Sequence, residues 1–162
     1  MCIRDRALLD TAVAWLAARG RPGQWGTEPL STQPRHQSRV ADWAARGELH
    51  LAVVDGQPAG ALAVGTAPPH IPPAAEPELY VNLLVTDHAY AGRGVGRRLL
   101  DHARDLARAQ GIGLLRVDCY AGDDRALVGY YERAGFRAVT PFSVELADGR
   151  HWPGQLLADR LG

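Results

Sequence analysis

The sequence predicts a single α/β domain built on one mixed β-sheet with helices on its faces. The chain has 162 residues, of which 46% are hydrophobic and 22% charged, and these values are typical of one soluble globular domain. Segments with helical and strand-like patterns follow one another in the order α-α-β-β-β-α-β-α-β-β, which implies a mixed sheet covered by helices.

The elements of the first half follow from periodicity and turn signals. Two stretches carry apolar side chains at helical spacing and end at glycine, the usual residue after a helix. Two β-prone stretches come next, joined by Asp55-Gly56, a dipeptide typical of tight hairpins. The predicted elements are a helix over Leu8–Arg19, a helix between Thr32 and Gly47, and strands over Leu49–Val54 and Ala59–Val64.

The second half begins with a loop, Thr66–Pro77, whose five prolines exclude a central strand or a helix. Apolar β-prone runs then alternate with helical stripes. Asp123 or Asp124 is expected at the N-cap of the shorter helix. The predicted elements are strands over Leu79–Val85, Leu114–Tyr120, Phe136–Val144 and Gly154–Leu161, and helices over Val95–Gln110 and up to Ala134.

Composition excludes several classes of function. Eighteen acidic and eighteen basic side chains cancel, so no electrostatic binding to nucleic acid is expected. Every basic residue is arginine, which excludes Schiff-base lysine chemistry and the lysine of a P-loop. The two cysteines form no C-x-x-C pair, and no metal site is expected. Without an apolar run of about 18 residues or a signal peptide, the chain is predicted to be cytoplasmic, with no membrane partner.

A glycine-rich loop lies between a predicted strand and the start of a predicted helix. Its glycines, Gly92, Gly94 and Gly96, let the backbone come close to a ligand, and the first N–H groups of the helix point outward. This pattern predicts an anion site that can hold a pyrophosphate without lysine. A turn that serves only the packing of strand on helix is the alternative reading.

Two motifs resemble those of the GNAT superfamily of acetyl-CoA-dependent N-acetyltransferases. In the first, [Gln/Arg]-x-x-Gly-x-[Gly/Ala], Gly94 and Gly96 fill the small positions and Ala91 stands where Arg or Gln is usual. The second, Tyr-Glu-x-x-Gly-Phe, is similar to Tyr131–Phe136, and Asp124 stands where the family usually has Asn. The resemblance implies a GNAT fold: a mixed, mostly antiparallel sheet flanked by helices on both faces. The resemblance spans Leu49–Leu161 in element order, with the motifs in Leu79–Phe136. The chain is expected to be a single domain, residues 1–162, whose first strand is short or missing.

The resemblance also implies roles for individual residues. Tyr131 is the candidate acid that protonates the departing thiolate, and core packing is its alternative. Glu78 is the candidate base, and a solvated carboxylate at a strand end is its alternative. Acetyl-CoA is the implied co-substrate, with no metal. Its expected contacts are Leu83, Leu84, Val85, Ala91, Gly92, Arg93, Gly94, Val95, Gly96, Arg97 and Asp124.

Two further residues, both on the predicted strand Leu114–Tyr120, have side chains that could take part in the reaction. Asp118 could face the site, although pairing with Arg116 on the same strand face is favoured. Cys119 is expected to be a buried small apolar residue rather than a nucleophile.

The implied reaction is transfer of an acetyl group from acetyl-CoA to a primary amine of a small molecule or peptide by direct attack. Direct attack is favoured because no serine lies in a G-x-S-x-G motif. Two alternatives stay open: a non-catalytic domain that binds or senses acyl-CoA, and a transferase that uses another acyl-CoA. A homodimer is compatible with the resemblance, and the acceptor amine is not determined by the sequence.

Overall fold

The computed structural model describes residue 39 and residues 42–122, 125–145 and 148–162. Residues 42–45 are helical, and the main elements follow them. In chain order they are β1 (Leu49–Val54), β2 (Gln57–Gly65), β3 (Leu79–Thr86), a 3₁₀ turn (His88–Tyr90), α1 (Val95–Ala109), β4 (Leu114–Tyr120), α2 (Ala126–Arg133), β5 (Arg137–Glu145) and β6 (His151–Arg160).

Every strand and helix predicted from Leu49 onward is confirmed, with ends that shift by at most three residues. The predicted helix Leu8–Arg19 lies outside the described residues. Among the helices that are described, none is long and apolar enough to cross a membrane.

The start of α2 differs from the prediction. Arg125 occupies its N-cap with φ 56°, so the expected N-cap at Asp123 or Asp124 was wrong. The physical reason is the left-handed backbone of Arg125, from which the helix begins at Ala126; the Arg125 N–H donates to the carbonyl of Gly122 at 3.1 Å. Asp123 and Asp124 themselves lie outside the described residues.

Six strands form one sheet in the order β1-β2-β3-β4-β6-β5. β1 and β2 are an antiparallel hairpin, and β6 is antiparallel to both of its neighbours, β4 and β5. β3 and β4 are parallel, as expected for strands that are connected through a helix. These pairings confirm the predicted mixed, mostly antiparallel sheet.

The chain divides into two compact units, each with a buried cluster of its own. The first unit comprises the described residues up to Val64 together with Leu83–His102, and the second comprises Gly65–Asn82 together with Ala103–Gly162. The single domain over residues 1–162 stays a prediction. The cluster of the first unit contains Trp43, Ala61, Ala63 and Val85, and that of the second contains Ile71, Tyr80 and Leu156.

Gly60 in β2 allows α1 to lie directly on the strand. A Cβ atom added at this position would lie 2.9 Å from Leu99 Cδ1, 3.0 Å from Val95 Cγ1 and 3.0 Å from the carbonyl oxygen of Val85. Separations this short are repulsive, and the Val85 oxygen belongs to a strand backbone that cannot move aside. The absence of a side chain at Gly60 therefore determines where the first turns of α1 lie.

We expect Gly60→Ala to destabilise the protein by about 1–3 kcal/mol, the usual cost of overpacking a well-packed site. Gly113→Ala is the matched control, because an added Cβ there meets only the Leu161 carbonyl oxygen at 3.7 Å. Urea unfolding of both variants measures the difference. Equal midpoints for the two variants would contradict the proposed close approach.

Candidate active site

The loop between β3 and α1 is anchored at its start. The backbone N–H of Asp87 donates to the carbonyl of Ala59 in β2 at 2.8 Å. The Asp87 carboxylate then accepts a hydrogen bond from the N–H of Ala89 at 2.9 Å and so caps the 3₁₀ turn. At the other end of the loop, the carbonyl of Gly94 accepts from the N–H of Arg98 at 3.0 Å, which is the first hydrogen bond of α1.

The glycines of this loop leave open space in front of the N-terminus of α1. Gly94 has φ 72°, a conformation that side chains other than glycine rarely adopt, and a Cβ added there would meet nothing within 4 Å. The N–H groups of Val95, Gly96 and Arg97 form the first turn, where no acceptor exists within the helix. This combination of open space, unused donors and the positive end of the helix dipole fits the diphosphate of acetyl-CoA.

The other predicted cofactor contacts that the structure describes lie on β3, in the loop itself or in the first turn of α1. Leu83, Leu84 and Val85 are in the same compact unit as the loop, half-buried or buried on β3. Ala91, Gly92, Arg93 and Arg97 are exposed, and the Arg93 guanidinium lies 5.8 Å from the centre of the Tyr90 ring. Asp124 lies outside the described residues.

Tyr131 is buried on α2 in the second unit, at 6% exposure. Its ring makes edge-to-face contacts with Phe136 and Tyr130, with centroids 5.7 and 5.3 Å away. Burial raises the pKa of the Tyr131 phenol, and the nearby Cys119, Tyr130 and Asp118 raise it further. The phenol therefore keeps its proton at neutral pH, which is the state that a proton donor requires.

Arg104 holds the end of the helix that carries Tyr131. Its Nε donates to Asp159 at 2.7 Å, and its Nη2 donates to the carbonyl of Ala134, just after α2. The guanidinium also lies 5.4 Å from the centre of the Phe136 ring. Sequence reasoning missed this residue because an arginine on a helix has the same local pattern whether it faces solvent or a buried ion pair.

Two buried polar contacts involve β4. One joins it to Glu78, the residue just before β3, and the other joins it to Tyr80 within β3. Arg116 donates from Nε and Nη2 to the two carboxylate oxygens of Glu78, the second at 2.9 Å, and also to the carbonyl of Pro72. The Tyr80 hydroxyl donates to Asp118 at 2.5 Å. The hydrogen bond to Glu78 raises the pKa of Arg116 above its ordinary value.

These contacts correct two expectations. Arg116 pairs with Glu78 rather than with Asp118, because the parallel register sets Arg116 opposite Tyr80 and brings the residues around Tyr80 within reach. Glu78 is also not a solvated carboxylate at a strand end, since its side chain is only 15% exposed. Both of its oxygens accept hydrogen bonds from Arg116, so an acceptor amine would have to compete with the guanidinium for them.

Cys119 is buried on β4, as the sequence predicts. Burial raises the pKa of its thiol to about 12, and the neighbouring Asp118 carboxylate contributes to this shift. The thiol therefore stays protonated at neutral pH and is a poor nucleophile.

Breaking the buried ion pair is expected to cost much more than breaking an exposed one. Arg116→Gln leaves Glu78 buried without its cation, and we expect a loss of about 3 kcal/mol or more in the free energy of unfolding. Arg160→Gln, which breaks the exposed pair with Glu76, is the control and should cost less than about 1 kcal/mol. Chemical denaturation measures both, and similar losses would contradict the burial of the Glu78 pair.

Comparison with known proteins gives this fold and site a family. Residues 11–136 match the Acetyltransferase (GNAT) family. The match covers most of the chain, so the protein belongs to this family, as the two motifs predicted.

A curated protein that matches part of the chain is an acetyltransferase as well. A mycothiol acetyltransferase from Beutenbergia cavernae is 40% identical over 80 residues, which cover 49% of this chain and 25% of that protein. The chain thus matches only a quarter of the length of this relative.

Solved structures support the fold. A ribosomal-protein-alanine N-acetyltransferase from Brucella melitensis superposes with a TM-score of 0.67 at 21% identity, over 96% of this chain and 91% of that one. Ard1 from Thermoplasma volcanium has a TM-score of 0.64 at 17% identity, over 78% of this chain and 80% of that one. Identities this low establish the fold alone.

Proposed function

We propose that this protein is an N-acetyltransferase that moves the acetyl group of acetyl-CoA to a primary amine of a small molecule or peptide. The observation that carries the proposal is the open space at Gly94 in front of α1, beside first-turn N–H groups that have no acceptor within the helix. Membership of the GNAT family supports acetyl-CoA as the donor, since the family generally uses it.

Backbone groups supply most of the proposed binding. The first-turn N–H groups of α1 hold the diphosphate, and the exposed Arg93 and Arg97 lie beside it as charged contacts. Backbone N–H groups of Leu83–Val85 are proposed to bind pantetheine and the thioester carbonyl. A donor aimed at the oxygen on which charge develops stabilises the transition state by roughly 3 kcal/mol.

The proposed reaction is direct attack by the neutral amine on the thioester carbon. The C–N bond forms and the C–S bond breaks, and the departing thiolate takes a proton from the Tyr131 phenol. The amine nitrogen loses one proton, which balances the proton gained by sulfur, and the phenolate recovers its own from solvent. Tyr131 suits this role because its buried phenol is protonated at neutral pH.

Glu78 is the base that the sequence proposes, and its contacts favour a different role. Because both of its oxygens bind Arg116, we propose that Glu78 positions the start of β3 and that the amine proton passes to solvent.

The acceptor is proposed only as a chemical class. The names of the similar proteins include mycothiol and ribosomal-protein alanine, two different acceptors on related chains. The proposed chemistry requires that the acceptor carry a primary amine. The cytoplasmic location and the homodimer stay predictions.

A second candidate function is binding of acyl-CoA without transfer. It is favoured by Ala91, which stands where the family motif usually has Arg or Gln and so removes one side-chain contact to the phosphates. Release of free thiol from acetyl-CoA in the presence of a panel of amines distinguishes the two functions. The same assay with longer acyl-CoA donors tests the choice of acyl group.

The glycine loop is tested by thermal shift with CoA. Gly94→Leu is expected to abolish the rise in Tm, because the side chain enters the space proposed for the diphosphate. Gly111→Leu is the matched control: Gly111 has φ 71°, also meets nothing within 4 Å and lies beyond the other end of α1. Both variants should lose a similar ~1–2 kcal/mol from backbone strain, and only the control should keep its response to CoA.

An unchanged response to CoA in Gly94→Leu would overturn the assignment of the loop. Loss of the response in both variants would point to general destabilisation rather than to a blocked site.

The proposed acid is tested by Tyr131→Phe, which keeps the ring and its contacts with Phe136 but removes the proton. Turnover should fall by ~10²-fold while the affinity for acetyl-CoA changes little. Tyr130→Phe is the control on the adjacent residue and should keep nearly full turnover. If Tyr131→Phe leaves the turnover rate unchanged, the tyrosine serves packing only. Loss of turnover in Tyr130→Phe alone would place the acid one residue earlier.

A further inference from the structure

A groove runs between β1 and the first half of α1. Its volume is about 570 Å³, within the range of sites for small molecules, and its described lining lies entirely in the first unit. We call it the β1–α1 groove. The lining residues are Leu49–Val54 of β1 together with Arg93, Val95, Arg98, Leu99 and His102.

The described polar side chains of the groove are two arginines, Arg93 and Arg98, and two histidines, His50 and His102. Burial and the neighbouring His102 lower the pKa of His50, so the charge of the groove comes from the arginines and the imidazoles offer N–H donors. Arg98 and His102 are four residues apart on α1 and therefore lie on the same side of the helix. His50 reaches the same place from β1, with its Nδ1 3.2 Å from Nε2 of His102. None of the described residues that line the groove is acidic. Within the part of the chain that the structure describes, no carboxylate pairs with Arg93 or Arg98.

The remaining lining is apolar and partly exposed. Side chains alternate along β1, so Ala52 and Val54 share the face of His50, which is turned toward α1; both are half-buried. On the helix side, Val95 and Leu99 are buried and line the groove wall. An apolar wall beside a guanidinium and two imidazoles suits a ligand with an apolar body and an anionic head.

We propose that the β1–α1 groove is a binding site for a small amphipathic anion. The anionic head, a carboxylate or a phosphate, binds the Arg98 guanidinium and an N–H of the His50–His102 pair, and the apolar body lies against Ala52 and Val54. Charge complementarity carries this choice, because the described lining offers cationic and N–H groups and no carboxylate. The groove adjoins the proposed acetyl-CoA site, since Arg93 and Val95 belong to both, but the head-group contacts Arg98, His50 and His102 are not acetyl-CoA contacts, and the test does not depend on acetyl transfer.

Calorimetric titration with octanoate tests the site on the full chain. Saturable binding is expected, with affinity at least about tenfold weaker in Arg98→Gln, because a charge-assisted contact is lost. Arg108→Gln is the matched control, since Arg108 is an exposed arginine of the same helix that pairs with Asp105 outside the groove. Octanol, which has the same chain without the charge, should bind far more weakly than octanoate.

Two further measurements test the choice of head group and the position of the apolar wall. Octyl phosphate identifies the preferred head group, and binding of either anion that depends on Arg98 supports the proposal. Val54→Glu introduces a carboxylate at a half-buried position of the wall, next to the Asp55-Gly56 turn, and should abolish binding by repulsion without unfolding the protein. Equal affinity in wild type and Arg98→Gln, no saturable binding, or displacement of octanoate by CoA alone would overturn a separate site.

Discussion

The close approach of α1 to β2 is the constraint on which the rest of the first unit depends. Gly60 has no side chain, so Val95 and Leu99 pack directly on the strand. Its neighbour Ala59 accepts the hydrogen bond from Asp87 that begins the glycine loop. Both ends of the loop are thus tied to adjacent residues of β2, and the donors of the first helical turn are held in place before any ligand binds. Preorganisation of this kind reduces the ordering that a ligand would otherwise require.

The second unit depends on pairing of its buried polar groups. Ion pairs with little exposure stabilise a fold only when each partner is satisfied, because a lone buried charge is costly. Arg116 meets this condition with Glu78, and Arg104 meets it with Asp159 while also holding the end of α2. The surroundings of Tyr131 are therefore held by interactions that each tolerate little change, which suits the proposed role of its hydroxyl as a proton donor to one atom.

The proposed cofactor binding and the proposed proton transfer use different kinds of group. The first uses backbone donors, which depend on conformation rather than on side-chain identity. This explains how an alanine can occupy position 91 while the loop geometry around Gly94 is retained. The second uses a side chain, Tyr131, whose phenol is protonated at neutral pH and whose ring is fixed by burial. A substitution in the first unit is thus expected to alter binding, and one at Tyr131 to alter rate.

The sequence by itself determined the elements from Leu49 onward, the mixed sheet and the family, because strand and helix periodicity and the positions of glycine are local properties. It also located the glycine loop, since a positive φ at Gly94 is a local requirement. Only the tertiary structure determines which charged side chains form ion pairs. Glu78 and Arg116 are 38 residues apart, and only the parallel register of β3 and β4 brings them together. Partners of this kind cannot be inferred from spacing, because a charged side chain on a strand or helix has the same local pattern whether it meets water, an ion pair or a groove such as that beside His50 and His102.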